Sequence, residues 1–428
     1  DEAKKNLLAA VAADRYPAAR IVASKATIDP ESATGSVEVE IDSGPAFRVG
    51  TVEVKGLQRY PESSVLNLNP TKPGDLYERS RLTIYQRRLL ETGYFAAVDI
   101  SIDPDPAKAD AAPVRVVVIE ARSQRIDTTV SYSTDVGLRL QLDHNDADVA
   151  DAGWRQRTRL QLDSKYQKLD YTLGTPPRTG GTWQTFTGQL NRSDIQGQVT
   201  QEVVVGAAHN WGEETIPSSL ALSSHLEQQK ISGANIENNY ALYAGYRKTF
   251  RFTDDPILPR RGILGSVHVG TSVPGIGTRD FLRGVARLNW VIPTGRSSDL
   301  TLRSELGGVL AQDRSGIPSS FLFRTGGDQT IRGYAFESIG VSQGNAVVGG
   351  RYLAWGSAEY TYWVAGDLGA AVFIDAGDAF DKSKAFDAAV GYGIGARYRS
   401  PIGPFRADLA YGERTRSVQL HFSVGYNF

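Results

Sequence analysis

Arg332 stands in the glycine-rich run Gly326-Gly-Asp-Gln-Thr-Ile-Arg-Gly-Tyr334, which also holds Ile331 and Gly333. Asp375 is a lone carboxylate in the otherwise apolar run Phe373-Ile-Asp-Ala-Gly377, and Glu359 lies in the strand-like run before it. Once out of water, such charges need partners. The chemistry these residue types offer is ion pairing, because a guanidinium can give one carboxylate two parallel hydrogen bonds. No catalytic constellation assembles. The five histidines, His144, His209, His225, His268 and His421, are scattered without metal-ligand spacing. No Gly-x-Ser-x-Gly elbow appears. The segment Gly174-Thr-Pro-Pro-Arg-Thr-Gly180 lacks the Gly-Lys-Ser/Thr of a phosphate loop, and its two prolines suit a hairpin turn. Neither an enzyme nor a cofactor, metal or nucleotide is therefore expected.

The elements that must position these residues are strands. Beyond Arg125 the helical period disappears. Strand-like runs follow at 126–133, 136–144, 153–164, 166–174, 182–194, 197–211, 217–230 and 238–252. Further runs lie at 261–273, 280–293 and 297–311, and, after a long glycine-rich segment at 312–349, at 350–363, 368–377, 387–400, 403–412 and 417–428. That makes sixteen strands, an even number like those of bacterial single-chain barrels. In the last strand Val418, Leu420, Phe422, Val424, Tyr426 and Phe428 share a face. Gln419, His421, Ser423, Gly425 and Asn427 take the other. Parity puts Asp375 with Gly369, Ala371, Phe373 and Gly377, opposite Leu368, Ala370, Val372 and Ile374. Glu359 likewise sides with Ser357 and Thr361, opposite Tyr360 and Tyr362. Both acids thus point inward, and Arg332 on the preceding loop is the cation at hand. A soluble sandwich also alternates. A spanning barrel is favoured by strands longer than the usual five or six residues, with glycine and charge inside and aromatics outside.

Bulk composition sets outer limits. The net charge of −1 gives no global field pointing to nucleic acid, and the absence of cysteine rules out disulfides and thiolate zinc sites. No apolar run approaches the roughly 18 residues of a membrane helix, although hydropathy is blind to barrels. Residue 1 is not Met and no signal peptide opens the chain, so a mature or trimmed start is expected.

Residues 1–122 differ from the rest. Asp1–Asp14 reads as a helix with Leu7, Leu8 and Val11 on one face. Runs 19–28 and 35–41 read as strands separated by Pro30 and Gly35. A second unit starts at Pro45, with a strand at 47–54 and a short helix at 61–68. A longer helix then opens on a capping-box-like Asp75/Glu78 pair, carries Leu82, Tyr85, Leu89 and Leu90, and stops at Gly93. Strands at 94–102 and 113–120 close a β-α-α-β-β order. The first 44 residues match the second half of such a unit.

Three motifs together resemble the BamA/TamA superfamily of outer-membrane assembly and secretion barrels. They are the GGxxxIRGY loop, the Ala-Glu-Tyr strand around Glu359 and the Phe-x-Asp-x-Gly strand. The run Tyr132-Ser-Thr-Asp-Val-Gly137, the terminal Phe428 and Gly93-Tyr94-Phe95 ahead of a strand match as well. The resemblance covers essentially the whole chain. It implies a mainly β fold: a sixteen-stranded transmembrane barrel at 123–428, preceded by α+β POTRA units, partial at 1–44 and complete at 45–122. It also implies that the loop at 312–349 folds into the lumen and that Arg332 contacts Glu359 and Asp375. Localisation would be the outer membrane, with POTRA units in the periplasm. Within the superfamily the TamA branch is the nearest in kind, because the barrel segment has short loops. That implies membrane lipid, outer-membrane protein substrates such as autotransporters, and a TamB-like inner-membrane-anchored partner on the POTRA units. The expected working part is a lateral gate between Ile126–Ser133 (Ile126, Thr128, Val130, Tyr132) and Ser417–Phe428 (Val418, Leu420, Phe422, Val424, Gly425, Tyr426, Phe428). Plainer readings remain open: Arg332 as a simple loop tie, an ordinary first strand, a two-partner secretion pore, a passive porin or a barrel enzyme.

Overall fold

The structure, a computed structural model, describes residues 2–29, 34–213, 215–255, 259–382, 385–400 and 403–424. Gly425, Tyr426, Phe428 and Pro30 lie outside the described residues. The chain divides into two compact units. One comprises 1–125 with the turn segments 146–155 and 175–182; the other comprises 126–145, 156–174 and 183–428.

The first unit opens with α1 (Glu2–Ala13), then the hairpin β1 (Arg20–Asp29) and β2 (Thr34–Asp42). Leu7 is exposed, so only Leu8 and Val11 of the expected face are partly covered. Next come β3 (Val49–Lys55), α2 (Ser63–Leu66), α3 (Arg79–Glu91), β4 (Phe95–Ile102) and β5 (Ala112–Glu120). β5 is central, parallel to β3 and antiparallel to β4. Alternate β5 residues Val114, Val116 and Val118 pack with Val65, Leu82, Tyr85 and Leu89 of the helices, each burial worth roughly 1.5–3 kcal/mol. Two expectations are corrected here. Glu78 is the N-cap of α3 but makes no side-chain cap bond. Asp75 instead accepts from Lys72 N and the Arg81 guanidinium, so no capping box forms. Leu90 is exposed, because it lies off the Leu82–Tyr85–Leu89 stripe. Gly93, at φ 77°, ends the helix as expected.

The second unit is a barrel. Its strands are β6 (Gln124–Ser133), β7 (Gly137–Val149), β8 (Trp154–Leu162), β9 (Tyr166–Gly174), β10 (Trp183–Ile195), β11 (Gln198–Trp211), β12 (Ser218–Ile231), β13 (Ile236–Thr253), β14 (Gly262–Gly277), β15 (Leu282–Pro293) and β16 (Ser298–Leu310). After a long loop containing the short hairpin β17 (Val341–Gln343) and β18 (Ala346–Val348), the wall resumes. It continues with β19 (Tyr352–Ala365), β20 (Leu368–Phe380), β21 (Ala389–Ser400), β22 (Gly403–Gly412) and β23 (Ser417–Val424). Sixteen strands, β6–β16 and β19–β23, close the ring, with β23 against β6. The expected fold holds, with strand ends moved by a few residues. β6 is ten residues long, against nine for β8 and β9, so it is not unusually short.

Parity decides the two faces. On β20 Leu368, Ala370, Val372 and Ile374 are exposed, while Gly369, Ala371, Phe373 and Asp375 are buried. The register sets Asp375 opposite Ser357 and Phe373 opposite Glu359, so the two acids are diagonal neighbours on adjacent strands.

Candidate functional site

The segment 311–351 enters the barrel and is fastened to opposite walls. On one side Ser319 N donates to both carboxylate oxygens of Glu227 at 3.1 and 2.9 Å, and its hydroxyl also meets Glu227. Ser320 Oγ donates to Glu202 Oε1 at 2.6 Å. Phe321 and Phe323 pack with Tyr243 and Phe281, and the Arg283 guanidinium lies 4.9 Å from the Phe323 ring centre.

On the other side Arg332 is 1 % exposed, among the most buried side chains of the molecule. Its Nε and Nη2 donate to the two oxygens of Asp375 at 2.8 and 2.9 Å, and its backbone N adds a bond of 3.1 Å. Nη1 reaches Glu359 at 2.6 Å and Asp408 at 3.3 Å. Beneath the guanidinium, 3.4 Å away, lies the Phe373 ring, which adds a cation–π contact. Arg332, Glu359 and Asp375 are thus brought together. Sequence reasoning missed three further members of the network. Asp408 on β22 is a third acid, and Arg397 on β21 joins it to Glu359 with bonds of 2.5, 2.8 and 2.8 Å. Arg303 donates to Gln329 O at 3.1 Å and Ser357 Oγ at 3.2 Å. The result is a connected network in which Arg332 and Arg397 bridge the acids Glu359, Asp375 and Asp408, while Arg303 joins it through neutral acceptors.

The remaining loop residues serve this anchor. Ile331 is fully buried against Tyr334, Ile339 and Ala389. Gly333 has φ 87°, and a Cβ there would stand 2.7 Å from Gly412 N. The Tyr334 hydroxyl donates to Val390 O and accepts from Arg414 N, both at 3.0 Å. On Gly377 a Cβ would overlap Ala354 O and Trp355. Among the described residues no group of three or more His, Cys, Asp or Glu is arranged to hold a metal.

The expected gate residues behave as an outer face. Ile126, Val130, Tyr132, Val418 and Leu420 are exposed, as is Thr128. The Tyr132 and Phe422 ring centres are 6.2 Å apart across the β23–β6 boundary. There Val424 pairs with Tyr132 and Ser423 with Ser133. Thr134 N donates to Phe422 O at 3.0 Å.

Residues 114–428 match the Omp85 superfamily domain, and residues 47–121 match the POTRA family described as a surface antigen variable number repeat. The chain belongs to the Omp85 superfamily. This Omp85 chain is 24% identical over 408 residues to the outer membrane protein assembly factor BamA of Nitratidesulfovibrio vulgaris, covering 89% of the chain and 51% of that protein. It is 29% identical over 114 residues to the chloroplastic outer envelope protein 80 of Arabidopsis thaliana, covering 24% and 14%. The chain thus spans about half the length of the first relative and a smaller share of the second. Among solved structures it is similar to BamA from Haemophilus ducreyi lacking POTRA domains 1–3, with a TM-score of 0.74 at 16% identity, covering 100% and 94% of the two chains. CdiB from Acinetobacter baumannii gives 0.58 at 14%, covering 98% and 79%. This Omp85 protein is an outer-membrane barrel with its POTRA unit in the periplasm.

Proposed function

We propose that this protein inserts outer-membrane β-barrel proteins, autotransporters among them, through a lateral gate between β6 and β23. The observation that carries the reading is the uneven pairing of β23. All eight of its described residues pair with β22, whereas only Ser423 and Val424 pair with β6. β6 ends at Ser133, opposite Ser423. Phe422 turns its carbonyl toward that side, so by alternation Leu420 and Val418 turn their backbone groups there too, beyond the reach of β6. Unpaired backbone is costly in lipid and is a ready template for an added strand.

On this reading the Arg332 loop is the inner support of the gate, and a loop tied to both walls suits that role better than an open pore. The POTRA unit, with β3 and β4 as sheet edges, receives a TamB-like inner-membrane-anchored partner. No catalytic step, nucleotide or metal enters. The work comes from the folding free energy of the substrate strands or from the partner.

Ser133 and Ser423 face each other without exchanging backbone bonds, which brings their Cα atoms within disulfide range. A Ser133→Cys/Ser423→Cys pair, oxidised in lipid vesicles, should lower insertion of a substrate barrel at least about tenfold, with recovery on reduction. Undiminished insertion by the locked protein sinks the gate.

A further inference from the structure

The loop that carries Arg332 also touches both sides of the seam, through groups the Arg332 network does not use. Asp135 lies in the turn that follows β6, two residues past Ser133. It accepts the backbone N–H of Asp328 through Oδ2 at 2.7 Å. His421 lies on β23, two residues before Ser423, and accepts the backbone N–H of Gly333 through Nε2 at 2.9 Å. The loop segment between these bonds is stiff: Gly327 N donates to Ile331 O, Thr330 N to Gly327 O, and Gly326 N to Thr330 Oγ1. Asp135 Oδ1 and His421 Nδ1 approach to 3.6 Å from opposite sides of the seam. His421 and Asp135 have side chains 3 % and 6 % exposed, so water does not substitute for either bond.

We propose that Asp135 and His421 are positioning residues that make the 326–333 turn a clasp across the β6–β23 seam. Each supplies an acceptor from its own side, and the turn supplies two donors at fixed spacing. While both bonds hold, β6 and β23 stay in register where Ser133 faces Ser423. Losing either frees one side without touching Arg332. Because Nε2 accepts, the ring proton sits on Nδ1, facing Asp135.

This inference rests on the gate reading, and its test separates the two. Backbone hydrogen exchange is followed in the full chain in lipid vesicles, at Thr134, Phe422 and Val424 for the seam and at Arg332 for the anchor. Asp135→Ala and His421→Ala should each raise seam exchange at least about tenfold, the scale of one lost buried hydrogen bond to a charged or ring acceptor. Arg332 should stay protected. Asp135→Asn and His421→Gln keep an acceptor oxygen and should restore the slow seam. Unchanged seam exchange in both alanine variants overturns the clasp. So does equal loss at the seam and at Arg332, which describes a loop that has simply detached. If one alanine variant fails to fold, the other reads the same clasp from the opposite side. A clasp that passes beside a disulfide-locked barrel that still inserts substrate leaves the clasp standing and removes the gate.

Discussion

No Cβ fits on Gly391, because it would overlap the carbonyl oxygen of Arg332. The loop backbone lies directly on Gly391, whereas the neighbouring glycines of β21 make room for side chains: the Phe373 ring over Gly393, and Asp408 and Arg397 over Gly395. Gly391→Ala is therefore expected to push the loop off the wall while leaving every charge in place. Overpacking of this kind costs about 1–3 kcal/mol. Limited proteolysis of the folded barrel at 326–334 reads it: cleavage should rise several-fold over the parent, and parent-like resistance would contradict the packing described.

Asp375 receives three bonds from Arg332. Removing the guanidinium leaves Asp375 buried beside Glu359 and Asp408, a loss of roughly 3–5 kcal/mol for a broken buried pair. Arg332→Ala should therefore release the loop. Arg332→Lys should recover only a small part, because an ammonium cannot span two carboxylate oxygens and Glu359 in one plane. The thermal midpoint of the detergent-solubilised barrel ranks the three proteins. A lysine variant as stable as the parent would show that charge alone, without the planar fork, is sufficient.

How much of this was legible beforehand follows from the period of a strand. Asp375 and Glu359 point inward by parity, and Arg332 on the preceding loop is a cation at hand. Parity also set Arg397 and Asp408 inward, yet it does not say which inward groups meet, because that depends on how the ring closes and where the loop crosses it. His421 stands among the scattered histidines of the sequence for the same reason: its partners Gly333 and Asp135 are distant in sequence. The β17–β18 hairpin, three residues a strand, is too short to leave a period. The missing cap on α3 is a competition that spacing cannot reveal, since Asp75 bonds elsewhere.

Asp328 sits in the loop with its carboxyl held up to about 7. Burial is the main cause, and the Asp135 carboxylate adds to it. An acid with a raised folded value binds its proton more tightly in the packed loop than in the free chain. Its contribution is thus full below the ordinary value near 3.8 and is lost as pH rises through about 7. Loop protection from protease should fall between pH 5 and pH 8. Asp328→Asn should flatten that slope and make the loop more resistant than the parent at pH 8. An unaltered slope in the variant would assign the pH dependence elsewhere.

Glu120 closes the last strand of the POTRA unit onto the Gln58–Tyr60 turn. Its Oε1 accepts the backbone N–H groups of Gln58, Arg59 and Tyr60 at 2.8, 2.9 and 3.3 Å, and Oε2 meets Arg59 Nε at 2.9 Å. Burial alone would raise this carboxyl, but the backbone donors and Arg59 outweigh it and hold it down at about 2. The sign is opposite to that of Asp328. The stabilisation is full above the ordinary value of 4.5 and drains away as pH falls toward 2. Backbone exchange at Gln58 and Arg59, corrected for its intrinsic pH dependence, should therefore be slow at pH 6 and quicken on acidification toward pH 3. Glu120→Gln keeps one acceptor oxygen but loses the charge, so at pH 6 it should exchange about tenfold faster, as expected for replacing a charge-assisted acceptor by a neutral one. The variant should also show no acid step, because nothing at that position is left to titrate. A glutamine variant that retains the step would place the titrating group outside this turn.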